Sequence, residues 1–372
     1  MFNPVILWFL LLPLGSAGAL WYFNRSARDA WIPSSVFGFV GMLIVLGAFG
    51  ISSSVATSDI EIWNGQVQSK HRVHGTYEQS YSCNCRSVSS GSGKDATTTT
   101  VCDTCYETHY TVRWDCQTTI GEYEIQKLDS TRTSVYASPD PARFTTIQLG
   151  DPAAKQSRYT NYIQAVPNSL FTPSAAGLKT KFAALLPKYP DDVFDLYRLN
   201  RFITPGYNVP EAAAWNADIS NMLRALGPKK QVNAIVVIAK TDDPNYEYAL
   251  RDAWEGANKN DVVLIIGSKT WPQIDFVRVL SWTKAEAFKI ELRDTIQGLG
   301  TIQRTPILST LETQIAKNFV RRKMSEFEYL KNEIDPPTWV LALTAMIILC
   351  SGCLLHLYGQ TIFGGSRRPK KF

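Results

Sequence analysis

Three long stretches of this 372-residue chain contain no Asp, Glu, Lys or Arg: Val5 to Phe23, Ile32 to Ile51, and Trp339 to Tyr358. About 20 uncharged, apolar residues is the length a helix needs to cross a bilayer core. The chain also lacks the short patterns that mark common catalytic sites. It has no Gly-x-Ser-x-Gly, no phosphate-binding loop and no His-Glu-x-x-His, and it has only four histidines. No stripe of basic and aromatic residues runs along it, which argues against a nucleic-acid surface. The apolar runs contain no Asp, Glu, Lys or Arg to mark a transport path, and His356 stands near the end of the third.

What is present orients the chain. Aromatic rings stand near the ends of the runs (Trp21, Tyr22, Trp31, Trp339, Tyr358), where the interface favours them. Arg25 and Arg28 lie between the first two runs, and Arg367, Arg368, Lys370 and Lys371 follow the third. Net charge is +5, and the tail supplies most of it. Positive flanks stay on the cytoplasmic side and touch anionic lipid. Three crossings then predict an outside N-terminus, a cytoplasmic tail, and residues from about 52 to 336 outside. No Lys or Arg precedes the first run, so it reads as an anchor and not as a cleaved signal peptide. The only Asn-x-Ser/Thr sequon, Asn24-Arg25-Ser26, falls in the inside loop, which fits a bacterial or bacteriophage setting.

The predicted organisation is a membrane-anchored α+β and α/β chain. Residues 1–51 form two spans, 52–150 a Cys-rich antiparallel β module, 151–209 a connector, 210–335 an α/β domain, and 336–372 the third span and basic tail. From Ile60 to about Tyr136 apolar residues alternate with polar ones, as Val112, Trp114 and Cys116 do. The Ser/Thr/Gly-rich insert between Arg86 and Val101 reads as a mobile loop. The connector contains one short helical candidate, Ala175 to Leu186.

Five of seven cysteines lie in the β module. Cys83-x-Cys85 and Cys102-x-x-Cys105 can set four thiolates around a structural zinc ion, with Cys116 and His109 as spare ligands. Disulfides between the two motifs are the alternative, favoured by an oxidising exterior. Either way the cluster reads as structural. His71 and His74 are out of step for one strand face and do not form a ligand pair.

Beyond Pro210 the pattern becomes helix and buried strand in alternation. Trp215, Ile219, Met222, Leu223 and Leu226 mark a helix that Gly227-Pro228 should stop. Ala234–Ile238, Val262–Ile266 and Phe276–Leu280 are strand runs around a largely parallel sheet. Thr283 and Glu286 form a predicted capping box for a helix to Gly298, and Leu308 to Asn332 reads as one long amphipathic helix. This order of elements, with Ala257-Asn258-Lys259-Asn260-Asp261-Val262-Val263-Leu264-Ile265-Ile266 as its nearest signature, resembles the TPM domain. The overall organisation also resembles uncharacterised membrane proteins of large tailed bacteriophages. The first resemblance implies an α/β sandwich followed by a span, and in some members a divalent ion and acid phosphatase activity. The family's Asp-Asn-Gly reads Lys259, Asn260, Asp261 here, which puts an ammonium group where a carboxylate belongs. Asp242, Asp243 and Asp261 remain candidates for a divalent-ion rim, because turns after parallel strands converge. The expectation is a non-catalytic periplasmic head that binds or positions an envelope protein; the alternative is a metal-dependent phosphatase.

Overall fold

The structure is a computed structural model that describes residues 4–23, 31–90, 97–166 and 177–363. The charged inside loop, the basic tail and the middle of the polar insert lie outside the described residues. So does the start of the Ala175–Leu186 candidate.

Two apolar helices open the chain, α1 (Pro4–Phe23) and α2 (Trp31–Ala56). They approach closely where side chains are small. A Cβ on Gly41 would meet the Pro13 Cβ at 2.6 Å, and one on Gly38 would meet the Ala17 Cβ at 3.0 Å.

Strand β1 (Ser58–Ser90) leaves α2 with one residue between. It is followed by β2 (Thr97–Thr118), β3 (Gly121–Ser130), the short helix α3 (Ala142–Thr146) and β4 (Pro152–Thr160). The antiparallel sheet has the order β3-β2-β1-β4. β4 pairs with β1 only over Ser58–Gln66, and β3 pairs with β2 only over Tyr110–Thr118. From the Tyr77/His109 pair to the Ser90/Thr97 pair, β1 and β2 therefore continue as a two-stranded ribbon. At about 3.3 Å per residue it is about 45 Å long. The expected loop from Arg86 to Val101 is strand at both flanks, Arg86–Ser90 pairing with Thr97–Val101. Alternation sets the wide end of the sheet: Val112, Trp114 and Cys116 are fully buried, Trp114 beneath Val135 and Cys116 beside Ile147.

The connector forms α4 (Leu178–Lys181) and a further single turn at Ala183–Leu185, in place of one helix to Leu186. A second sheet then builds from β5 (Phe202–Ile203), β6 (Asn233–Ala239), β7 (Asp261–Gly267) and β8 (Phe276–Ser281), in that order. β5, β6 and β7 are parallel and β8 is antiparallel. Helices α5 (Ala212–Lys230), α7 (Glu286–Gly298) and α8 (Arg304–Asn318) cover one face. They enclose Val236, Ile238, Leu264 and Ile266. Helix α6 (Tyr246–Ala253) covers the other face over Ile235, Val237, Val263 and Ile265. Burial on both faces explains the unbroken apolar runs.

Three predicted boundaries shift. α5 runs through Gly227-Pro228 and ends at Gln231, whose φ is +51°. Gly227 has no Cβ to clash with the proline ring, so the helical turn survives. The predicted Thr283 box does not cap α7: the Thr283 Oγ1 accepts from the Ala285 and Val320 amides. The predicted helix from Leu308 to Asn332 breaks after Asn318 and resumes as a 3-10 segment at Met324–Glu333. The extended residues between them seat Phe319 against Phe288 and send Arg321 to the first sheet.

Helix α9 (Thr338–Phe363) follows Pro336-Pro337. It packs with α1 and α2 around Leu20, Phe37, Val45, Phe49 and Ile348. Leu7, Trp8, Phe39, Leu43, Met346 and Leu349 remain exposed around the bundle. The Phe23 and His356 rings are 5.7 Å apart, so α1 and α9 end on the same side. Both sheets grow from the opposite side.

Candidate functional site

The cysteine cluster sits part-way along the ribbon. Cys83 stands at bonding distance from Cys105 and Cys85 from Cys102, the two disulfides weighed from the sequence as the alternative to zinc. The register shifts between Cys83 and Arg86, and Asn84 takes a left-handed φ of +47°. That bulge brings Cys85 and Cys102, which share no register pair, within bonding reach. The proposed spare ligands are elsewhere. His109 stacks on Tyr77 with ring centroids 5.0 Å apart. Cys116 is eleven positions along β2 from Cys105, about 36 Å at strand spacing, and is buried beside Val67 and Ile147. Burial pushes its thiol pKa up, which makes it a packing residue and not a nucleophile. No group of three or more His, Cys, Asp or Glu converges on a metal position among the described residues.

The aspartate rim does not assemble either. Asp242 and Asp243 follow the carboxyl end of β6, whereas Asp261 begins β7 and pairs in register with Asn233 at the amino end of β6. The two positions lie at opposite ends of the central strands, about 20 Å apart at strand spacing. The convergence argument failed because Asp261 precedes its strand instead of following it. Asp242 is paired with Lys269 at 2.6 Å, and Asp243 with Lys181. These partners hold both carboxyls below their ordinary pKa.

Asp261 belongs instead to a buried polar junction between the two sheets. Its Oδ1 accepts from Asn233 Nδ2 at 3.0 Å; its Oδ2 accepts from the Asn258 amide at 2.9 Å and the Tyr189 hydroxyl at 2.8 Å. Burial lifts the Asp261 pKa to about 6. Arg201, 1% exposed, donates to Asn64 Oδ1 at 2.6 Å, Ser220 Oγ at 3.1 Å and Asn233 Oδ1 at 3.3 Å. Burial lowers its pKa to about 10. Asn64 on β1 also donates to the Val232 carbonyl at 3.0 Å. Nearby, Arg321 clamps both oxygens of Glu61 at 2.5 and 2.7 Å. Lys259 lies 3.7 Å from Glu61 and 4.0 Å from the centre of the Tyr159 ring. Burial lowers the Lys259 pKa and raises that of Tyr159. Asn260 Nδ2 donates to the Ile62 carbonyl at 2.8 Å. The signature Asn258-Lys259-Asn260-Asp261 thus bonds the α/β unit to β1 and β4, and each of its four side chains has a protein partner.

The junction is filled by protein groups. Two shallow clefts flank it, of about 220 Å³ beside Ser54 and Arg158 and about 160 Å³ beside Trp63 and Gly227. Both are smaller than ordinary small-molecule sites. No protein-family profile, curated protein or solved structure matches this chain. Sequence reasoning missed Glu61, Asn64, Tyr189, Arg201 and Arg321. The available signal was a polar residue inside an apolar context, as with Asn233 before Ala234–Ile238 and Glu61 and Asn64 in the alternating start of β1.

Proposed function

We propose that this chain is an integral membrane protein whose outward-facing head binds or positions an envelope protein without catalysis. The observation that carries the reading is the disulfide-paired ribbon. Disulfides persist in oxidising compartments outside the cytoplasm, the side to which the basic flanks of the apolar helices assign the head. A slender ribbon beyond the last covering strand, with Tyr77, Tyr81 and Tyr106 exposed, offers contact surface and no enclosed chemistry. The α/β unit is read as TPM-like from its order of helices and strands. The phosphatase alternative finds little support, because the three aspartates it would use do not meet.

The test is a Tyr106→Cys chain expressed in bacteria and exposed to a membrane-impermeant maleimide before and after lysis. Labelling in spheroplasts with intact inner membranes is expected. Labelling only after lysis would reverse the orientation and remove the reading.

A further inference from the structure

We infer that the cleft where α2 meets the first sheet binds the phosphate of an outer-leaflet lipid headgroup. The inference rests on the membrane reading above. The cleft, about 220 Å³, is lined by Ser54 and Thr57 from the end of α2, Ser58 from β1, and Arg158, Tyr159 and Thr160 from β4. Ser58 pairs with Thr160, and Arg158 with Ile60, across the two antiparallel strands. Residues two apart on a strand share a face, so Ser58, Thr160 and Arg158 stand together. Tyr159 and Asp59 take the other face, where the Tyr159 hydroxyl donates to Asp59 at 2.7 Å and Asn161 donates to the same carboxylate at 2.8 Å. The Asp59 carboxylate, adjacent in sequence to Ser58, is thereby occupied by Tyr159 and Asn161.

What remains on the open face is one cation and a set of hydroxyls. Arg158 is exposed and has no hydrogen-bond or ion-pair partner among the described residues. The hydroxyls of Ser54, Ser58 and Thr160 are likewise exposed and unpartnered there. No acid lines the cleft. A guanidinium fork with flanking hydroxyl donors matches the oxygens of a phosphate group.

Position selects the source. The apolar span of α2 runs to Ala56 and β1 begins at Ser58. No linker separates them, so the cleft is fixed at the level where the apolar helix ends and headgroups begin. Lipid phosphates are concentrated at that level, whereas a soluble phosphate must arrive from the bulk.

The full-length chain in mild detergent is titrated with short-chain phosphatidylglycerol, bound lipid being counted by native mass spectrometry. Arg158→Gln is expected to bind about tenfold more weakly than wild type, the worth of a charge-assisted hydrogen bond. Arg158→Lys should fall between the two, and Arg86→Gln on the ribbon should match wild type. Equal lipid binding by Arg158→Gln and wild type overturns the inference. Inorganic phosphate that displaces the lipid at equal concentration overturns the lipid as the source. Alkaline carbonate extraction separates the two readings. Release of the chain from membranes removes the membrane reading, whereas a retained chain with no Arg158-dependent binding removes this inference alone.

Discussion

Asp261 shows how one side chain can take its meaning from its neighbours. Its three donors would suit a carboxylate, yet burial dominates and its folded pKa of about 6 lies above the ordinary 3.8. A raised folded pKa means that the folded state holds the proton more tightly. The resulting stability is complete below pH 3.8 and is lost as pH rises through 6. The difference is worth about 3 kcal/mol at 1.36 kcal/mol per unit. Thermal unfolding of the detergent-solubilised chain between pH 4 and 7 should therefore show a slope that Asp261→Asn flattens. Gly227 offers a second case at this scale. A Cβ there would lie 2.3 Å from the Asn64 carbonyl oxygen. Gly227→Ala is expected to cost about 1–3 kcal/mol by forcing α5 away from β1, read as a lowered melting temperature.

The ribbon is the element that most needs its covalent staples. An isolated two-stranded hairpin is marginal in water, and β3 and β4 support only its base. Cys83–Cys105 and Cys85–Cys102 replace the missing neighbours by restricting the unfolded ribbon. Thiol titration of the denatured chain should find three reactive cysteines without reductant, Cys116, Cys350 and Cys353, and all seven with it. Reduction should speed amide hydrogen exchange across residues 77–90 and 97–109 while leaving β6 and β7 unchanged. Exchange that rose equally everywhere would show that the disulfides support the whole head.

At the scale of the molecule, a run of buried charges and hydrogen bonds joins the two sheets, beside an apolar cluster of Ile163 and Val166 with Trp282, Phe327 and Leu330. Asn64, Arg201, Asn233 and Asp261 form a continuous buried chain from β1 to β7. Asn64→Ala would leave Arg201 short of one partner, and losing a buried hydrogen bond to a charged group costs about 1.5–3 kcal/mol. Two separate unfolding transitions should replace one in that variant, measured by calorimetry. A single transition at an unchanged temperature would show that the sheets are coupled by other contacts. The junction also explains why the residues around Asp261 suggested an ion site. They are polar, clustered and close to a strand, but they satisfy one another.

The sequence alone determined what depends on neighbours along the chain. Three uncharged runs became helices at nearly their predicted bounds, since backbone bonds in a helix close within four residues. Alternation located the core face of β2, and two buried runs located β6 and β7. Tertiary structure decided the rest. Which cysteines come within bonding reach was not legible either: Cys105 is in register with Tyr81 and Cys83 with Asp103, and the bulge at Asn84 is what brings Cys85 to Cys102. Asp242, Asp243 and Asp261 looked like one rim until the fold set them at opposite ends of the strands. Arg321 pulled the chain out of a helix that its local pattern favoured, because Glu61, buried in the other sheet, required a cation. Pairings between distant segments leave no local period to read, and in this protein they carry the interpretation of every candidate site.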